Sequence, residues 1–349
     1  MATKAIVYVD KGKAAIQDVP VPKLRDGYLL VRVHAMGLNP TDWKHIDNGL
    51  TDPGSRIGCD YAGVVEEVGP NVTRSFKKGD RICGVVHGGD RPHHENGAFG
   101  QVITVKGGVQ IKTPDNLSDE EAATLGISIC TVGQGLYQTL NLPVPTECVG
   151  QGSEYILIYG GSTATGIFGI QFAKLSGLRV IATASPHNFD YLSSLGAEDV
   201  FDYKAPDVAA EIRKYTDNRL KLAWDCTGLG GPIIAGALSS VAPSKYASIM
   251  PVKEDVKAIN ANIDGPHVTL MYSMFGEGFH KGKRVEPEPA EYEFAQQFWE
   301  MSREILASGK VKTVRPIVNR GGKGLEGVLE GLDELRADKV SGGKLVYTF

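Results

Sequence analysis

The stretch from 155 to 188 limits the fold of this chain more than any other. Its apolar run Tyr155-Ile156-Leu157-Ile158-Tyr159 leads into Gly160-Gly161-Ser162-Thr163-Ala164-Thr165-Gly166. The pattern predicts a strand, a tight turn, a helix over 167–175 and, after Gly177, a second strand over 180–184. That is half of a dinucleotide-binding fold. Such a turn brings backbone N–H groups and a helix N-terminus up to a pyrophosphate. Gly161 and Gly166 hold the first and third glycine positions of G-x-G-x-x-G, and Thr163 holds the second. A threonine there is expected to keep a diphosphate slightly further off and to offer its hydroxyl as a donor.

The end of the second strand bears on the cofactor. An NAD site usually places Asp or Glu about 20 residues past the turn, facing the ribose 2′-OH. Here the matching segment is Ser185-Pro186-His187-Asn188, with no acid before Asp190. A 2′-phosphate would meet no like charge, and Ser185, His187 and Asn188 can all donate to it. NADPH is therefore the expected cofactor, although no Arg or Lys adjoins this segment.

At 349 residues the chain has room for two domains with a core each. A formal net charge of −4 supplies no basic footprint for nucleic acid. No apolar run reaches the roughly 20 residues of a membrane span, and the first residues lack the apolar core of a signal peptide. A cytoplasmic protein is expected. Cysteines at 59, 83, 130, 148 and 226 form no C-x-x-C pair, which points to reduced, mostly buried thiols.

The first 150 or so residues read as strands and turns with little helix, at 28–35, 62–69 and 76–84. Ser118 and Glu121 form a capping box opening a short helix. Strand and helix then alternate from 155 to about 275. Strands are expected at 199–203, 220–225, 246–250 and 268–275, with a helix at 206–215. The sixth strand, 268–275, is apolar and expected at a sheet edge, so a monomer and a homodimer both stay open. Residues 276–290 read as loop, 290–308 and 324–335 as helices, and 344–347 as a last strand.

Taken together, Gly37-Leu38-Asn39-Pro40-Thr41-Asp42, Gly58-Cys59-Asp60-Tyr61-Ala62-Gly63, Gly79-Asp80-Arg81-Ile82, the nucleotide turn and Lys339-Val340-Ser341-Gly342-Gly343-Lys344 resemble the medium-chain dehydrogenase/reductase superfamily. The resemblance covers essentially the whole chain. It implies an α/β protein: a GroES-like, mainly-β catalytic domain plus a Rossmann cofactor domain with a doubly wound parallel sheet. The implied division is 1–152 for the first part of the catalytic domain, 153–278 for the NADPH-binding domain and 279–349 for the returning segment.

Zinc members of that superfamily carry Cys where Asn39 stands and His where Cys59 stands, so both ligand positions are changed. The four-cysteine structural lobe is replaced by 88–97. Cys83, His87, His93 and His94 match no compact zinc spacing and read as a polar loop with its histidines in water. No metal is expected. Without a Lewis acid on the oxygen, the natural reaction is conjugate hydride transfer to an activated C=C bond. Charge then grows on the carbonyl oxygen as an enolate, and a proton reaches the α-carbon.

Ser162-Thr163-Ala164-Thr165, Ser185-Pro186-His187-Asn188-Phe189-Asp190 and Phe201-Asp202-Tyr203 are further similar to the trans-acting enoyl reductases of fungal polyketide biosynthesis, the lovastatin-pathway reductase among them. That resemblance implies a separate chain serving a highly reducing polyketide synthase, or a synthase–peptide synthetase hybrid, in secondary metabolism. The substrate would be an enoyl thioester on an acyl carrier domain. It places Thr41, Asp42, Trp43 and Lys44 at the cofactor, with Ser162, Thr163, Ala164 and Thr165. Ser185, Pro186, His187, Asn188 and Tyr203 join them, the last as a ring to stack on adenine. Met250, Pro251, Val340 and Ser341 complete the cofactor set.

Lys44 and Thr131 are the catalytic candidates: Lys44 as a cation that stabilises enolate charge or anchors a phosphate, Thr131 as a hydroxyl at the nicotinamide ribose or at the acyl carbonyl. The resemblance also places Thr131, Gly133, Gln134 and Tyr137 beside the substrate, and has Met271, Tyr272, Ser273, Met274 and Phe275 line the acyl channel. Tyr137, Tyr272 and water are alternative proton donors. A free-standing quinone or enone reductase shares all these residues, and an idle NADPH-binding scaffold shares those of the cofactor.

Overall fold

The computed structural model describes residues 2–146 and 152–349. The chain forms two compact units, Met1–Cys130 with Tyr272–Phe349, and Thr131–Met271. Their first division falls inside the helical segment Gly126–Val132 and Gly133–Thr139, earlier than residue 152. The segment changes partners along its length. A Cβ on Gly126 would meet Asp60 Oδ1 at 2.4 Å, and one on Gly135 would meet Trp224 Nε1 at 2.3 Å. Each glycine thus binds its turn of helix to a different core, and only the absence of a side chain permits either approach. This helical segment interrupts a region that otherwise reads as strands and turns, and it forms despite glycines that weaken a helix.

The second unit is a six-stranded parallel sheet. From one edge its order is Asp199–Asp202, Arg179–Ala184, Tyr155–Tyr159, Leu222–Asp225, Ser244–Ser248 and Ile263–Val268. In the unit's own chain order that is 3-2-1-4-5-6, the doubly wound arrangement. Tyr155–Tyr159 is buried at all five positions, as a central parallel strand must be. The helix Ala164–Leu175 packs onto it through Gly169, whose missing Cβ leaves room for the Trp224 ring.

The sixth strand is corrected. It is Ile263–Val268, not 268–275. This edge strand holds Asp264, Pro266 and His267, and its outer residues are exposed. Proline and charge blunt an edge against further pairing, so the apolar edge expected for dimerisation is not there. The apolar run that follows forms a 3₁₀ turn, Met271–Phe275, which buries Met271, Tyr272, Met274 and Phe275.

The first unit is built on a seven-stranded sheet. Tyr28–Gly37 pairs with Asp60–Val68, with Val102–Lys106 and with the returning strand Lys344–Thr348. Arg81–Val85 and Gln110–Lys112 extend one side and Pro316–Val318 the other. A hairpin, Ala2–Asp10 with Lys13–Pro20, lies beside it. The core gathers Ile6, Leu29, Val31, Met36, Phe99 and Tyr347, with Leu325, Val328 and Leu332 from the helix Gly324–Arg336. Residues 276–290 are more than loop: Phe279–Lys281 and Lys283–Val285 form an antiparallel hairpin about Gly282. Cys59, Cys83, Cys130 and Cys226 are free and buried, and Cys148 lies outside the described residues.

Candidate active site

In the second unit every expected nucleotide segment stands at the carboxyl ends of parallel strands. Gly160 leaves the strand Tyr155–Tyr159 with φ +77°, a conformation that favours glycine. A Cβ on Gly166 would meet Gly160 O at 2.3 Å, so the helix can seat on the turn only with glycine there. The helix starts at Ala164 rather than 167, because Thr163 caps it. Thr163 Oγ1 accepts from Gly166 N over 3.0 Å and donates to Gly160 O over 2.8 Å. Its hydroxyl proton is used inside the turn, which corrects its expected role as a donor to a diphosphate. Ser162 is half-buried beside it, and Ala164 and Thr165 make the first helical turn. This close glycine cradle under a twelve-residue helix fits a dinucleotide diphosphate.

Ser185, Pro186, His187 and Asn188 turn away from Arg179–Ala184 through a short 3₁₀ segment. Pro186 and His187 are exposed, Asn188 is buried, and the Asn188 amide lies 3.2 Å from His187 Nε2. The neighbouring strand is in register with this one, Asp202 against Ala184. Tyr203 and Lys204 therefore leave their strand at the same end of the sheet where Ser185 and Pro186 leave theirs. Lys204 Nζ lies 5.6 Å from the centre of the Tyr203 ring. A local reading of 185–188 shows no cation; strand pairing brings Lys204 to the same end of the sheet.

Asp225, at the end of Leu222–Asp225, was not anticipated. It is sealed from solvent and accepts five bonds. Oδ1 takes Thr227 N, Thr227 Oγ1 and Gly228 N, and Oδ2 takes Gly230 N and Tyr246 Oη, all within 3.0 Å. This shapes the 226–230 loop. A Cβ on Gly160 would meet Thr227 Cγ2, and one on Gly228 would meet Met250 Cβ, each at 2.6 Å. Met250 and Pro251 follow the strand Ser244–Ser248 and are exposed. Thr131, Gly133 and Gln134 are buried on the helical segment, where Gln134 Nε2 donates to Leu270 O over 3.3 Å. Gly133–Thr139 is a π-helical stretch, a form that often marks functional positions. Tyr137 Oη lies 3.0 Å from Ser176 Oγ and 3.4 Å from Phe172 O, inside the unit's own packing.

The first unit brings Thr41 and Tyr272 together. Pro40–Asp47 is a helix with proline at its start, carrying Thr41, Asp42, Trp43 and Lys44. Thr41 Oγ1 and Tyr272 Oη are 2.8 Å apart. His45 Nδ1 lies 2.8 Å from Thr41 O, a pure acceptor, so that nitrogen carries the proton. The His87 ring stacks on Tyr272 with centroids 4.3 Å apart. His87 is thus buried among rings, not a loop histidine in water. His93 pairs with Asp90 over 2.9 Å.

Burial sets the charges here. It drives the His45 imidazole down to about 4 and the His87 imidazole well below its usual range. It pushes the Tyr272 phenol and the Cys59 thiol well up. The Asp42 carboxyl rises to about 7, chiefly through burial, although Asn39 N donates to its Oδ2 over 2.7 Å. At neutral pH these rings and hydroxyls are neutral hydrogen-bonding groups.

Lys344 Nζ reaches Asn39 Oδ1 and Asp60 Oδ2 at 2.7 and 2.5 Å, so an ammonium group joins two side chains beside Cys59. Among the described residues no group of three or more His, Cys, Asp or Glu is placed to hold a metal ion. Lys44 is half-buried, with Nζ 5.7 Å from the Trp43 ring. Val340 packs on the core and Ser341 is exposed. No helix among the described residues is long and apolar enough to cross a membrane.

Residues 25–115 match the alcohol dehydrogenase GroES-like domain, and residues 164–276 match the zinc-binding dehydrogenase family. The chain is 41% identical to the trans-enoyl reductase ACTTS2 of Alternaria alternata, over 99% of both chains. It is 48% identical to the trans-enoyl reductase TOXD of Cochliobolus carbonum, over 84% of this chain and 98% of that one. Among solved structures the CurK enoyl reductase superposes with a TM-score of 0.77 over 99% of each chain. At 19% identity that likeness shows the fold.

Proposed function

The chain belongs to the trans-enoyl reductase family of medium-chain dehydrogenases/reductases, and we propose that it reduces the C=C bond of an enoyl thioester held on an acyl carrier domain. The partner would be a highly reducing polyketide synthase or synthase–peptide synthetase hybrid of fungal secondary metabolism. The observation that carries this reading is the 41% identity to such a reductase along 99% of both chains.

NADPH is the cofactor proposed. The acid-free segment 185–188 supports it, and so does Lys204 at the same end of the sheet. Bound, the reduced nicotinamide supplies a hydride. The Gly160–Gly166 turn and the helix N-terminus hold the diphosphate, while Ser185, His187, Asn188 and Lys204 hold the 2′-phosphate. Tyr203 offers its ring to adenine.

Lys44 stabilises enolate charge on the thioester oxygen, and Thr131 orients the carbonyl. Tyr272 is favoured over Tyr137 as the group that holds the α-carbon's proton. Burial keeps both phenols protonated at neutral pH, but Tyr272 meets the Thr41 hydroxyl of the first unit's site helix, whereas Tyr137 is held by Ser176 and Phe172 inside the second unit's packing.

The test is turnover of purified chain and NADPH on an enoyl pantetheine thioester and on a free quinone. Saturation of the thioester at the C=C bond is expected, and Lys44→Ala should lower kcat about 100-fold, in line with loss of one oxyanion donor. Turnover of the quinone alone would identify a free-standing quinone reductase. Tight nucleotide binding with no turnover of either would identify a scaffold.

A further inference from the structure

Thr41 and His45 stand four residues apart on the helix Pro40–Asp47, so they share one face of it. His45 Nδ1 lies 2.8 Å from Thr41 O and 3.2 Å from Thr41 Oγ1. The backbone oxygen can only accept, so the proton stays on Nδ1, and Oγ1 meets that same proton as a second acceptor. The imidazole is packed in place. A Cβ on Gly89 would meet His45 Cδ2 at 3.2 Å, and the Tyr272 ring stands edge-on to it with centroids 5.9 Å apart.

The Thr41 hydroxyl has its own proton to place. Among the described residues Oγ1 has two side-chain partners, His45 Nδ1 and Tyr272 Oη. The first already carries a proton, so the second, at 2.8 Å, is the acceptor. Donation therefore runs from His45 to Thr41 to Tyr272. The Tyr272 ring is held in turn by His87, stacked at 4.3 Å, and by Phe279 at 5.9 Å between centroids. The remaining group at its oxygen is the Cys59 thiol, a weak acceptor. The phenolic proton is thus the member of this chain that no strong acceptor holds.

We propose that His45 is a positioning residue for proton delivery: through Thr41 it makes Tyr272 Oη an acceptor and leaves the phenolic proton for the α-carbon. This role rests on the reading of Tyr272 as the group that holds that proton. When the enolate α-carbon takes it, a C–H bond forms, the Tyr272 O–H bond breaks and the phenolate keeps the electron pair. The Thr41 hydroxyl already points at that oxygen, so its bond becomes charge-assisted as the phenolate forms. Water returns the proton after the product leaves. With donation in the opposite order, Tyr272 would spend its proton on Thr41, and that bond would have to break before transfer.

Two measurements test this, and the first needs no turnover. Nitrogen-15 NMR of labelled wild type should show His45 protonated at Nδ1 and bare at Nε2 at neutral pH. A proton on Nε2 alone overturns the proposal. The second is turnover of an enoyl pantetheine thioester by His45→Phe, His45→Asn, Tyr272→Phe and the double variant of both phenylalanines. His45→Phe keeps a ring against Tyr272 but loses the donor. Its kcat should fall about tenfold or more, the worth of a hydrogen bond to a charged oxygen, with KM for NADPH within about twofold of wild type. Its solvent deuterium isotope effect on kcat should grow as protonation slows. His45→Asn sets an amide N–H at the Nδ1 position and should recover most of the loss. Tyr272→Phe has no phenolic proton to direct, so adding His45→Phe to it should cost nothing further.

Additive losses in that cycle, or no recovery in His45→Asn, overturn the proposal. Full kcat in Tyr272→Phe overturns it together with the reading of Tyr272 beneath it. A slow Tyr272→Phe beside an unimpaired His45→Phe removes the positioning role alone. Thermal melts of each variant separate a folding defect from a kinetic one. A wild-type protein that reduces no enoyl thioester would refute the proposed function and leave the NMR measurement to decide the order of donation.

Discussion

Lys344 donates to Asp60 through a 2.5 Å ion pair from which solvent is sealed on both sides. The pair ties the returning strand Lys344–Thr348 to Asp60–Val68, 284 residues earlier in the chain. Asp60 Oδ1 also accepts Ile127 N over 2.8 Å, so one carboxylate fixes three segments. A buried pair contributes little compared with an apolar replacement, but half of one is costly. Lys344→Met should therefore destabilise the protein by about 3–5 kcal/mol in urea unfolding. Adding Asp60→Asn, which keeps an acceptor for Ile127, should recover a large part of that loss. If the double variant is no more stable than Lys344→Met, the pair is not what the lysine serves.

Asp42 and His45 make opposite contributions to the pH dependence of stability. Burial raises Asp42 from 3.8 to about 7 and lowers His45 from 6.5 to about 4. Between those limits the folded state keeps the Asp42 proton that the unfolded chain has released, so stability falls as pH rises. Over about pH 4–6.5 the unfolded chain binds a proton at His45 that the folded state does not, so stability rises. The two oppose each other across one window. Asp42→Asn removes the falling contribution. Its unfolding free energy should climb relative to wild type by about 1.4 kcal/mol per pH unit between about pH 4.5 and 6.5. His45→Gln should do the reverse. Parallel curves for wild type and Asp42→Asn would show that Asp42 is ionised in the fold.

What the sequence made legible, and what it hid, follows from where the determining contacts lie. The 155–184 unit announces itself because strand, turn and helix signals are local, and the strand Leu222–Asp225 beside it is a short, mostly apolar run. The edge strand Ile263–Val268 was missed because it contains glycine, proline and charge. The run 268–275 reads as a strand because its apolar composition fits one, although Val268 ends the edge strand and Met271–Phe275 is buried as a turn against His87 and Phe279. At the site, Thr41 was legible from its motif, but its partner Tyr272 lies 231 residues away. Lys204 emerges only once strands are paired, and His87 only once rings are stacked. No local pattern encodes either.

Lys204 should discriminate between the two nicotinamide dinucleotides. It follows the strand paired with Arg179–Ala184, at the end where Ser185 begins, and among the described residues it has no ion-pair partner. Lys204→Ala should weaken NADPH by about tenfold or more, the worth of a charge-assisted hydrogen bond, and leave NADH within about twofold. Fluorescence titration with both nucleotides measures this directly. Equal losses for the two would place Lys204 on a part they share.

Asp225 should act on nucleotide affinity without touching the nucleotide. Its five acceptor contacts use both oxygens, and Asn can supply only one of them. In Asp225→Asn the three bonds to the 227–228 backbone and hydroxyl can persist. The amide NH₂ then faces Gly230 N and Tyr246 Oη, both held by donation to the lost oxygen. The Tyr246 hydroxyl can rotate and accept, so Gly230 N–H is the group left stranded. A stranded buried donor costs about 1–3 kcal/mol, and the 226–230 loop is where the strain must go. Tyr246→Phe leaves Gly230 paired and should cost about 1 kcal/mol. In the double variant the tyrosine can no longer accept from the amide, so the loss should exceed the sum of the two single losses. The same loop lies against Gly160 and Met250, so the dissociation constant for NADPH should rise several-fold in Asp225→Asn and change little in Tyr246→Phe. Additive stabilities in that cycle, or equal NADPH affinities in the two single variants, would separate Asp225 from the nucleotide crevice and leave it a plain packing residue.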